Sequence, residues 1–302
     1  VVEHVEGAGC HSGASQCAIP PPTLPAHVVA EVRAAAESLA RALGVVGLMN
    51  VQFAIQREQV YVLEVNPRGS RTVPYVSKAI GVPIAKVAAL AMAGRSLAEQ
   101  GVTAIPSPRH TSVKGPVFPF NRFAGVDVVL GPEMQSTGEV MGIDQDVGIA
   151  FAKSLISAGT SVPFTGGTVF LSVRAEDREA AVLLGQELSR LGFRLLSTSG
   201  TRAALLEAGV DADLVYKIRE GRRPNVLDLL TDGRIDLIVN TPTGRGARTD
   251  EGRIRAAAVQ GGVACITTLS GAAAAVNAIE TIRVRGYGVQ ALQDYFEPAA
   301  TA

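Results

Sequence analysis

The chain has 302 residues, of which 47% are hydrophobic and 19% charged, which excludes a disordered protein and suits about two domains. Lysine plus arginine and aspartate plus glutamate each number 28, and this balance argues against a nucleic-acid-binding protein. Three cysteines, no apolar run of membrane-spanning length and no signal peptide predict a cytoplasmic protein without a membrane partner.

The first half of the chain mixes helices and strands. Residues 1–6 are typical of a strand and lack an initiating methionine, so we expect a fragment of a longer protein. Apolar residues at helical spacing predict four helices. These are 24–43, 73–80, 82–93 and 145–157. Alternating residues predict strands over 45–55 and 60–65, joined as a hairpin by a three-residue loop, 57–59, whereas 97–143 shows few clear periods.

The second half of the chain alternates strands with helices. A glycine-containing segment, 158–167, predicts a linker that divides the chain into domains 1–157 and 168–302. The predicted strands are 168–174, 193–197, 213–217, 235–240 and 263–266. The predicted helices are 176–191, 200–208, 224–231, 250–260 and 270–284. This alternation predicts an α/β fold with an open parallel sheet, in which ligands bind at the carboxyl ends of strands.

Polar residues share one predicted face of the hairpin. If Gln52 pairs with Glu64, side-chain alternation places both of them on the same face as Asn66. Oxygen ligands clustered in this way suit Mg²⁺, and Arg68 and Arg71 follow closely enough to bind anionic oxygens. A lone carboxylate here is more typical of a salt bridge with Arg68. The full run Glu-Val-Asn-Pro-Arg, with a glutamine upstream, instead indicates a metal and phosphate site.

Several longer motifs keep a fixed order along the first half of the chain. The central motifs are Gly-Leu-Met-Asn-Val-Gln-Phe-Ala (47–54), Glu-Val-Asn-Pro-Arg (64–68) and Arg-Thr-Val-Pro-Tyr-Val-Ser-Lys-Ala (71–79). The flanking motifs are Glu-His-Val-Glu (3–6), His-Ser-Gly (11–13), Leu-Gly-Pro-Glu-Met (130–134) and Ser-Thr-Gly-Glu-Val-Met-Gly (136–142). Together they resemble the C-terminal synthetase half of the carbamoyl-phosphate synthase large subunit. The resemblance covers nearly the whole chain and implies that 1–157 is part of an ATP-grasp α+β domain.

The resemblance implies that ATP phosphorylates carbamate to give carbamoyl phosphate, a product that serves arginine and pyrimidine synthesis. Divalent metals, Mg²⁺ or Mn²⁺ with K⁺ as a further candidate, would be held by Gln52, Glu64 and Asn66. The implied catalytic residues, of which the arginines would hold the phosphoryl group and carbamate, are Arg68, Arg71 and His4. The residues implied to contact ATP are Gly9, Cys10, His11, Ser12, Gln52 and Glu64, with His4 beside them.

Two departures from the family pattern limit these implications. The glycine-rich nucleotide loop of the family is absent from the chain, so we expect the chain alone to be inactive. Ala14 stands where the family carries an acidic residue near its ornithine site, so activation by ornithine is not implied.

The hairpin chemistry alone also suits another ATP-grasp ligase that forms an acyl phosphate. A nucleotide-sensing fragment without catalysis is the second alternative.

Hydroxyl, amide and cationic groups follow three strands of the second half. The run Ser-Thr-Ser-Gly-Thr, 197–201, joins a strand end to a helix start, where backbone N–H groups and the helix dipole favour a phosphate. Lys217 ends the next strand, and Asn240, Thr241 and Thr243 end another. A single threonine here is more typical of a helix cap, but the joint pattern predicts a phosphate pocket.

This pattern resembles the methylglyoxal-synthase-like domain that closes the same large subunit. Its implied effector, UMP or IMP, would contact Arg178, Thr198, Gly200, Thr201, Lys217, Asn240 and Thr243. Regulation is favoured over methylglyoxal synthesis because all four histidines precede the linker and the loop 221–225 lacks an aspartate. The other implied partners are a glutamine-hydrolysing small subunit, the rest of the large subunit and further copies in a higher oligomer.

Overall fold

The structure of the chain is a computed structural model, and the residues that it describes are 1–104, 107–122, 128–160, 162–241 and 249–296. Thr243, one of the predicted effector residues, lies outside the described residues. Among the described residues no single helix is long and apolar enough to cross a membrane, although one pair of short helices, bent by 112°, passes that test together.

The described residues of the first half form an antiparallel sheet, a separate hairpin and four α-helices. The strands are β1 (Glu3–His4), β2 (Cys17–Ile19), β3 (Asn50–Gln56), β4 (Gln59–Asn66), β5 (Thr111–Val117) and β6 (Gly138–Asp144). The helices are α1 (Ala26–Ala42), α2 (Val73–Ile80), α3 (Ile84–Met92) and α4 (Val147–Ser157). The sheet has the order β1-β2-β5-β6, and β3 pairs with β4.

Strands β5 and β6 lie in the segment where the sequence showed few clear periods. Residues 112–116 of β5 are all buried, so no alternation of polar and apolar residues marks this strand. Gly115 and Pro116 also lie inside it, and both residue types are unusual in strand interiors. The sequence analysis therefore missed β5, and it also missed β2 and β6, so only one of the four strands of this sheet was predicted.

Helix α4 lies directly on this sheet because glycines remove the side chains between them. A Cβ atom at Gly142 of β6 would overlap the backbone oxygen of Ala150. A Cβ atom at Gly115 of β5 would lie 3.1 Å from the backbone oxygen of Ser154. The Asp146 carboxylate caps the helix by accepting hydrogen bonds from two backbone N–H groups of its first turn. Both the position and the start of α4 are therefore fixed.

The described residues of the second half form the predicted parallel sheet, which has five strands. These are β7 (Thr168–Ser172), β8 (Arg194–Ser197), β9 (Asp213–Leu214), β10 (Leu237–Asn240) and β11 (Ala264–Ile266). The helices are α5 (Arg178–Arg190), α6 (Ser199–Glu207), α7 (Val226–Thr231), α8 (Asp250–Gln260) and α9 (Leu269–Arg285). The order is β11-β10-β7-β8-β9, so the chain winds outward from β7 and then returns to its other side. The topological switch point therefore lies between β7 and β10.

The hairpin confirms the predicted pairing and corrects the predicted loop. Gln52 pairs with Glu64, but a β-bulge at Leu63 then shifts the register by one residue. The loop therefore contains two residues, Arg57 and Glu58, and the predicted three-residue loop was wrong. Both loop residues have positive φ, 51° and 65°, as a type I′ turn requires.

One hydrophobic core crosses the predicted boundary between the two halves. It includes Val113 of β5, Phe151 of α4 and Val169 of β7, and Val162 of the predicted linker is buried in it. Helix α4 packs against β5 and β6 and also against α9. The segment between the halves is thus part of the core, and the division at 158–167 stays a prediction.

Candidate functional site

The polar face of the hairpin forms as the alternation predicted. Gln52 and Glu64 are directly paired, and Nδ2 of Asn66 donates a hydrogen bond to Oε1 of Glu64 over 2.8 Å. Nε2 of Gln52 donates to Oγ of Ser12 over 3.1 Å, which connects the hairpin to the segment before β2. Because both amide nitrogens are engaged as donors, two amide oxygens remain as acceptors beside one carboxylate.

This donor set is compatible with a magnesium ion. In the part of the chain that the structure describes, no group of three or more His, Cys, Asp or Glu residues could hold a metal. Mg²⁺ does not require such a group, because it commonly binds through one or two carboxylates and completes its shell with phosphate oxygens and water. The hairpin face therefore fits a metal that is shared with a bound nucleotide.

A buried charge supports Ser12 from within the sheet. Lys114 of β5 is fully buried, and its Nζ donates to the backbone oxygen of Ser12 over 2.8 Å and to Oε1 of Glu139 over 3.2 Å. The contacts of Lys114 hold the Ser12 backbone in place.

Burial raises the pKa of Glu6 to about 7, although the N–H of Gln16, 2.7 Å away, and the charge of Lys114 oppose the rise.

The predicted nucleotide-lining segment lies in the turn between β1 and β2. Gly9 is exposed, whereas Cys10, His11 and Ser12 are partly buried. Nδ1 of His11 accepts a hydrogen bond from the N–H of Gly13 over 3.0 Å, which orients the imidazole ring. This hydrogen bond within the turn gives the segment a defined conformation.

The predicted catalytic residues lie at two places in the first half. Arg68 and Arg71 are exposed on the turn between β4 and α2, where Nη1 of Arg68 donates to the backbone oxygen of the next residue over 3.0 Å. His4 is exposed on β1, and the register places it opposite Cys17, which in turn lies opposite Lys114. His4 therefore shares one row of the sheet with the buried lysine, and the roles of all three residues stay predictions.

A cavity of about 170 Å³ opens at the switch point of the second-half sheet. The predicted effector residues that line it are Arg178, Thr198, Gly200, Thr201, Lys217 and Asn240. Thr241, which the sequence analysis placed with Asn240 at one strand end, also lines the cavity. The lining residues that the sequence analysis did not name are Ser172, Val173, Arg174, Arg219, Asp250, Glu251 and Ile254. The cavity lies outside the carboxyl ends of β7, β8 and β10, which is where open parallel sheets bind ligands.

Hydrogen bonds between neighbouring strand ends hold the cavity wall together. Oγ1 of Thr198 and Oγ of Ser172 lie 2.8 Å apart, and Oγ1 of Thr201 accepts a hydrogen bond from the N–H of Val173 over 3.1 Å. Thr198 is the N-cap residue of α6 but its side chain makes no capping hydrogen bond. Its hydroxyl group therefore serves the cavity wall rather than the helix end.

Both ends of the Asn240 amide are engaged. Nδ2 donates to the backbone oxygen of Ser172 over 2.8 Å, and Oδ1 accepts from Nη1 of Arg255 over 3.2 Å. Arg255 of α8 is fully buried, and a buried arginine requires polar partners such as this amide. The amide orientation at the end of β10 is thereby fixed.

Among the described residues, four cationic side chains line the cavity, together with the carboxylates of Asp250 and Glu251. Arg178, Lys217 and Arg219 line it, and Arg174 also does so, although Nε of Arg174 is paired over 2.8 Å with an aspartate of the following turn. A Cβ atom at Gly200 would lie 2.6 Å from Nη2 of Arg178, so this guanidinium lies over the first turn of α6. Cations beside a helix N-terminus suit a phosphate group.

Some of the residues that build these sites were missed from sequence. The strand-end rule that identified Asn240 could also have identified Ser172, because Ser172 ends the neighbouring strand β7. No sequence signal marked Lys114 or Arg255, since lysine and arginine are rarely fully buried.

Two family profiles match the chain. Residues 4–100 match "Carbamoyl-phosphate synthase L chain, ATP binding domain", and residues 180–267 match "MGS-like domain". The carbamoyl phosphate synthase large chain of Rhodopirellula baltica is 54% identical over 97% of this chain and 27% of its own length. That of Archaeoglobus fulgidus is 51% identical over 98% of this chain and 28% of its own length. The chain thus spans about a quarter of the length of these curated relatives.

A solved structure titled "Biotin Carboxylase domain of single-chain bacterial carboxylase" also matches. The match covers 48% of this chain and 39% of that chain, at 23% sequence identity. Its TM-score is 0.35, a similarity too low to establish a shared fold.

Proposed function

Because the chain belongs to the carbamoyl phosphate synthase large-chain family, with an ATP-binding segment and an MGS-like domain, we propose that it holds two sites of such a synthase. The first phosphorylates carbamate, and the second binds a nucleotide effector. The observation that carries the proposal is the switch-point cavity, where six predicted effector residues converge from separate segments. The pairing of Gln52 with Glu64 supports the catalytic site.

In the proposed reaction a carbamate oxygen attacks the terminal phosphorus of ATP, and the bond from that phosphorus to the ADP oxygen breaks. Arg68 and Arg71 bind the transferred phosphoryl group and carbamate, because guanidinium groups match the oxygens of both anions. His4 and the segment Gly9 to Ser12 contact the nucleotide. The arginines offset the charge that the transferring phosphoryl group carries.

The metal proposal follows from the donor set on the hairpin. Gln52, Glu64 and Asn66 would hold Mg²⁺ or Mn²⁺ together with phosphate oxygens, and K⁺ remains a further candidate cation. A bound divalent metal would supply positive charge at the phosphates. The hydrogen bond that Gln52 donates to Ser12 positions Gln52 relative to the nucleotide-lining segment.

The effector proposal assigns a nucleoside monophosphate, UMP or IMP, to the switch-point cavity. Its phosphate binds between Arg178, Lys217 and the first turn of α6, which follows the N-cap residue Thr198 and contains Gly200. The predicted contacts that complete the set are Thr201, Asn240 and Thr243.

We further propose the partners of the longer enzyme. A glutamine-hydrolysing small subunit would supply ammonia, and the rest of the large chain would supply the glycine-rich nucleotide loop. We expect the chain by itself to release no ADP in the presence of ATP and carbamate, and measurable carbamate-dependent release would contradict this. We also propose that the longer enzyme forms a higher oligomer and is located in the cytoplasm.

Calorimetric titration of UMP and IMP into the chain tests the effector site. Lys217→Met removes a charge-assisted contact and should weaken binding about 10- to 100-fold, and Thr198→Ala should weaken it several-fold. Arg222→Ala is the matched control, because the Arg222 guanidinium lies 4.2 Å from the Tyr216 ring centre and does not line the cavity. Binding that survives Lys217→Met unchanged would contradict the assignment.

A further inference from the structure

The last described residues of the chain return from the second half to the first. After α9 ends at Arg285, residues 286–296, here called the C-terminal strap, cross to the antiparallel sheet. Directly before the strap, Nη1 of Arg285, the last residue of α9, lies 3.1 Å from Oδ2 of Asp146, the cap of α4. At its end, the hydroxyl of Tyr295 donates to the backbone oxygen of Ile143 in β6 over 3.3 Å. The first half is thus contacted by the residue that precedes the strap and by the end of the strap itself.

The end of the strap packs on the C-terminal end of α2. The His110 ring is buried, and the rings of Tyr295 and Phe296 each lie 5.2 Å from it in edge-to-face contact. Phe296 lies so close to Gly81, which ends α2, that a Cβ atom there would be 2.8 Å from the Phe296 ring. Aromatic rings therefore cover this end of α2.

His110 connects these rings to the helix backbone. Its Nε2 donates to the backbone oxygen of Ala79 over 2.9 Å, in the last turn of α2, where carbonyl groups lack partners within the helix. At the other end of α2, Arg71 directly precedes the N-cap residue Thr72. The eight residues of α2 span about 12 Å, and their hydrogen-bonded backbone connects the end that His110 contacts to the turn that carries Arg71. This backbone is the path by which contacts at one end of α2 reach the other.

We propose that Tyr295 and Phe296 are positioning residues for Arg68 and Arg71. They act through His110 and α2, and they make the turn before α2 responsive to the second half of the chain. Tyr75 also anchors α2, because its hydroxyl donates to the backbone oxygen of Ser112 over 2.7 Å. The strap therefore sets the angle and the mobility of α2 rather than its existence. The effect on phosphoryl binding rests on the proposed function.

Hydrogen exchange of the whole chain, followed by mass spectrometry, tests the proposal without a ligand. Phe296→Ala should speed exchange of the last-turn amides of α2 about tenfold, because an aromatic contact is lost, and Tyr295→Phe should give a smaller increase. Exchange of β7 and β10 should not change. Val289→Ala is the matched control, since this strap residue is 94% exposed and should have no effect. Unchanged exchange of α2 in Phe296→Ala would overturn the proposal.

A second arm separates positioning from simple packing. Saturating UMP should change the exchange of residues 71–80 in the original chain, and this response should be lost in Phe296→Ala although the heat of UMP binding is the same. A response that survives the substitution would overturn the coupling. If the original chain binds no UMP, the effector site fails, while the experiment without ligand still decides whether the strap positions α2.

Discussion

The two candidate sites differ in which contacts hold their residues in place. In the switch-point cavity the lining residues bond to one another, as Thr198 does to Ser172, and the strands they end are core strands. On the hairpin, Glu64 and Asn66 bond to each other, and the link to the sheet runs through Gln52 and Ser12. A cavity within one parallel sheet is therefore preformed. A site on an outlying hairpin depends on the residues packed behind it.

The largest effect is expected from Gly142→Ala, which disrupts the packing of α4 on the antiparallel sheet of the first half. The added methyl group would overlap the backbone of α4, which cannot give way as a flexible side chain could. We expect a loss of unfolding free energy of about 4–5 kcal/mol or failure to fold, measured by urea denaturation. Gly138→Ala on the same strand is the control, because its nearest atom would be 3.8 Å away. Equal stability of the two variants would contradict this account of α4.

A smaller loss is expected from Lys114→Met, which removes the charge behind Ser12. It leaves the Glu139 carboxylate buried without its cation, so the unfolding free energy should fall by about 3–4 kcal/mol. The double variant Lys114→Met, Glu139→Gln should recover part of this loss, because no uncompensated carboxylate remains. A double variant no more stable than the single one would show that the pair is not the source of the effect.

The pH dependence of Glu6 gives the third test. The folded chain holds a proton on Glu6 up to a pKa of about 7, against 4.5 ordinarily, so it binds more protons than the unfolded chain between these values. Stability from this group is present below pH 4.5 and is lost as the pH rises through about 7. Relative to Glu6→Gln, the original chain should lose about 2–3 kcal/mol between pH 4.5 and 8. Urea denaturation across this range would measure it.

The control for this test is Glu133→Gln, at an exposed position of the same half, which should leave the pH dependence as it is. If the stability of Glu6→Gln and of the original chain changed in parallel with pH, the burial of Glu6 would not govern the titration.

The smallest effect is expected in the cavity, from Gly200→Ala. The new methyl group would displace the Arg178 guanidinium, but that group is the end of a flexible side chain, so stability should change by less than about 0.5 kcal/mol. UMP affinity should fall about 3- to 10-fold by calorimetry. Adding Gly200→Ala to Arg178→Ala should cause no further loss, and an additive loss would show that the glycine acts independently of the arginine.

The parts that could be predicted from sequence are those with a local periodicity. The pairing of Gln52 with Glu64 followed from the two-residue repeat of strands, and the cavity followed because parallel strands end at one edge of their sheet. The bulge at Leu63 leaves no signal in that repeat, so the loop length was wrong. Strand β5 was missed because burial on both faces removes alternation. The burial of Lys114 depends on residues distant in the chain, which periodicity does not report.

The shared position of α4 has a consequence for how the chain can be divided. Because this helix covers the antiparallel sheet with one side and α9 with the other, a cut at 158–167 would leave an uncovered apolar surface on each product. Exchanging the second half between related chains would fail at that junction unless α4 were transferred together with α9 or the facing residues were matched. A unit that keeps its apolar surface covered therefore includes α4 together with α9.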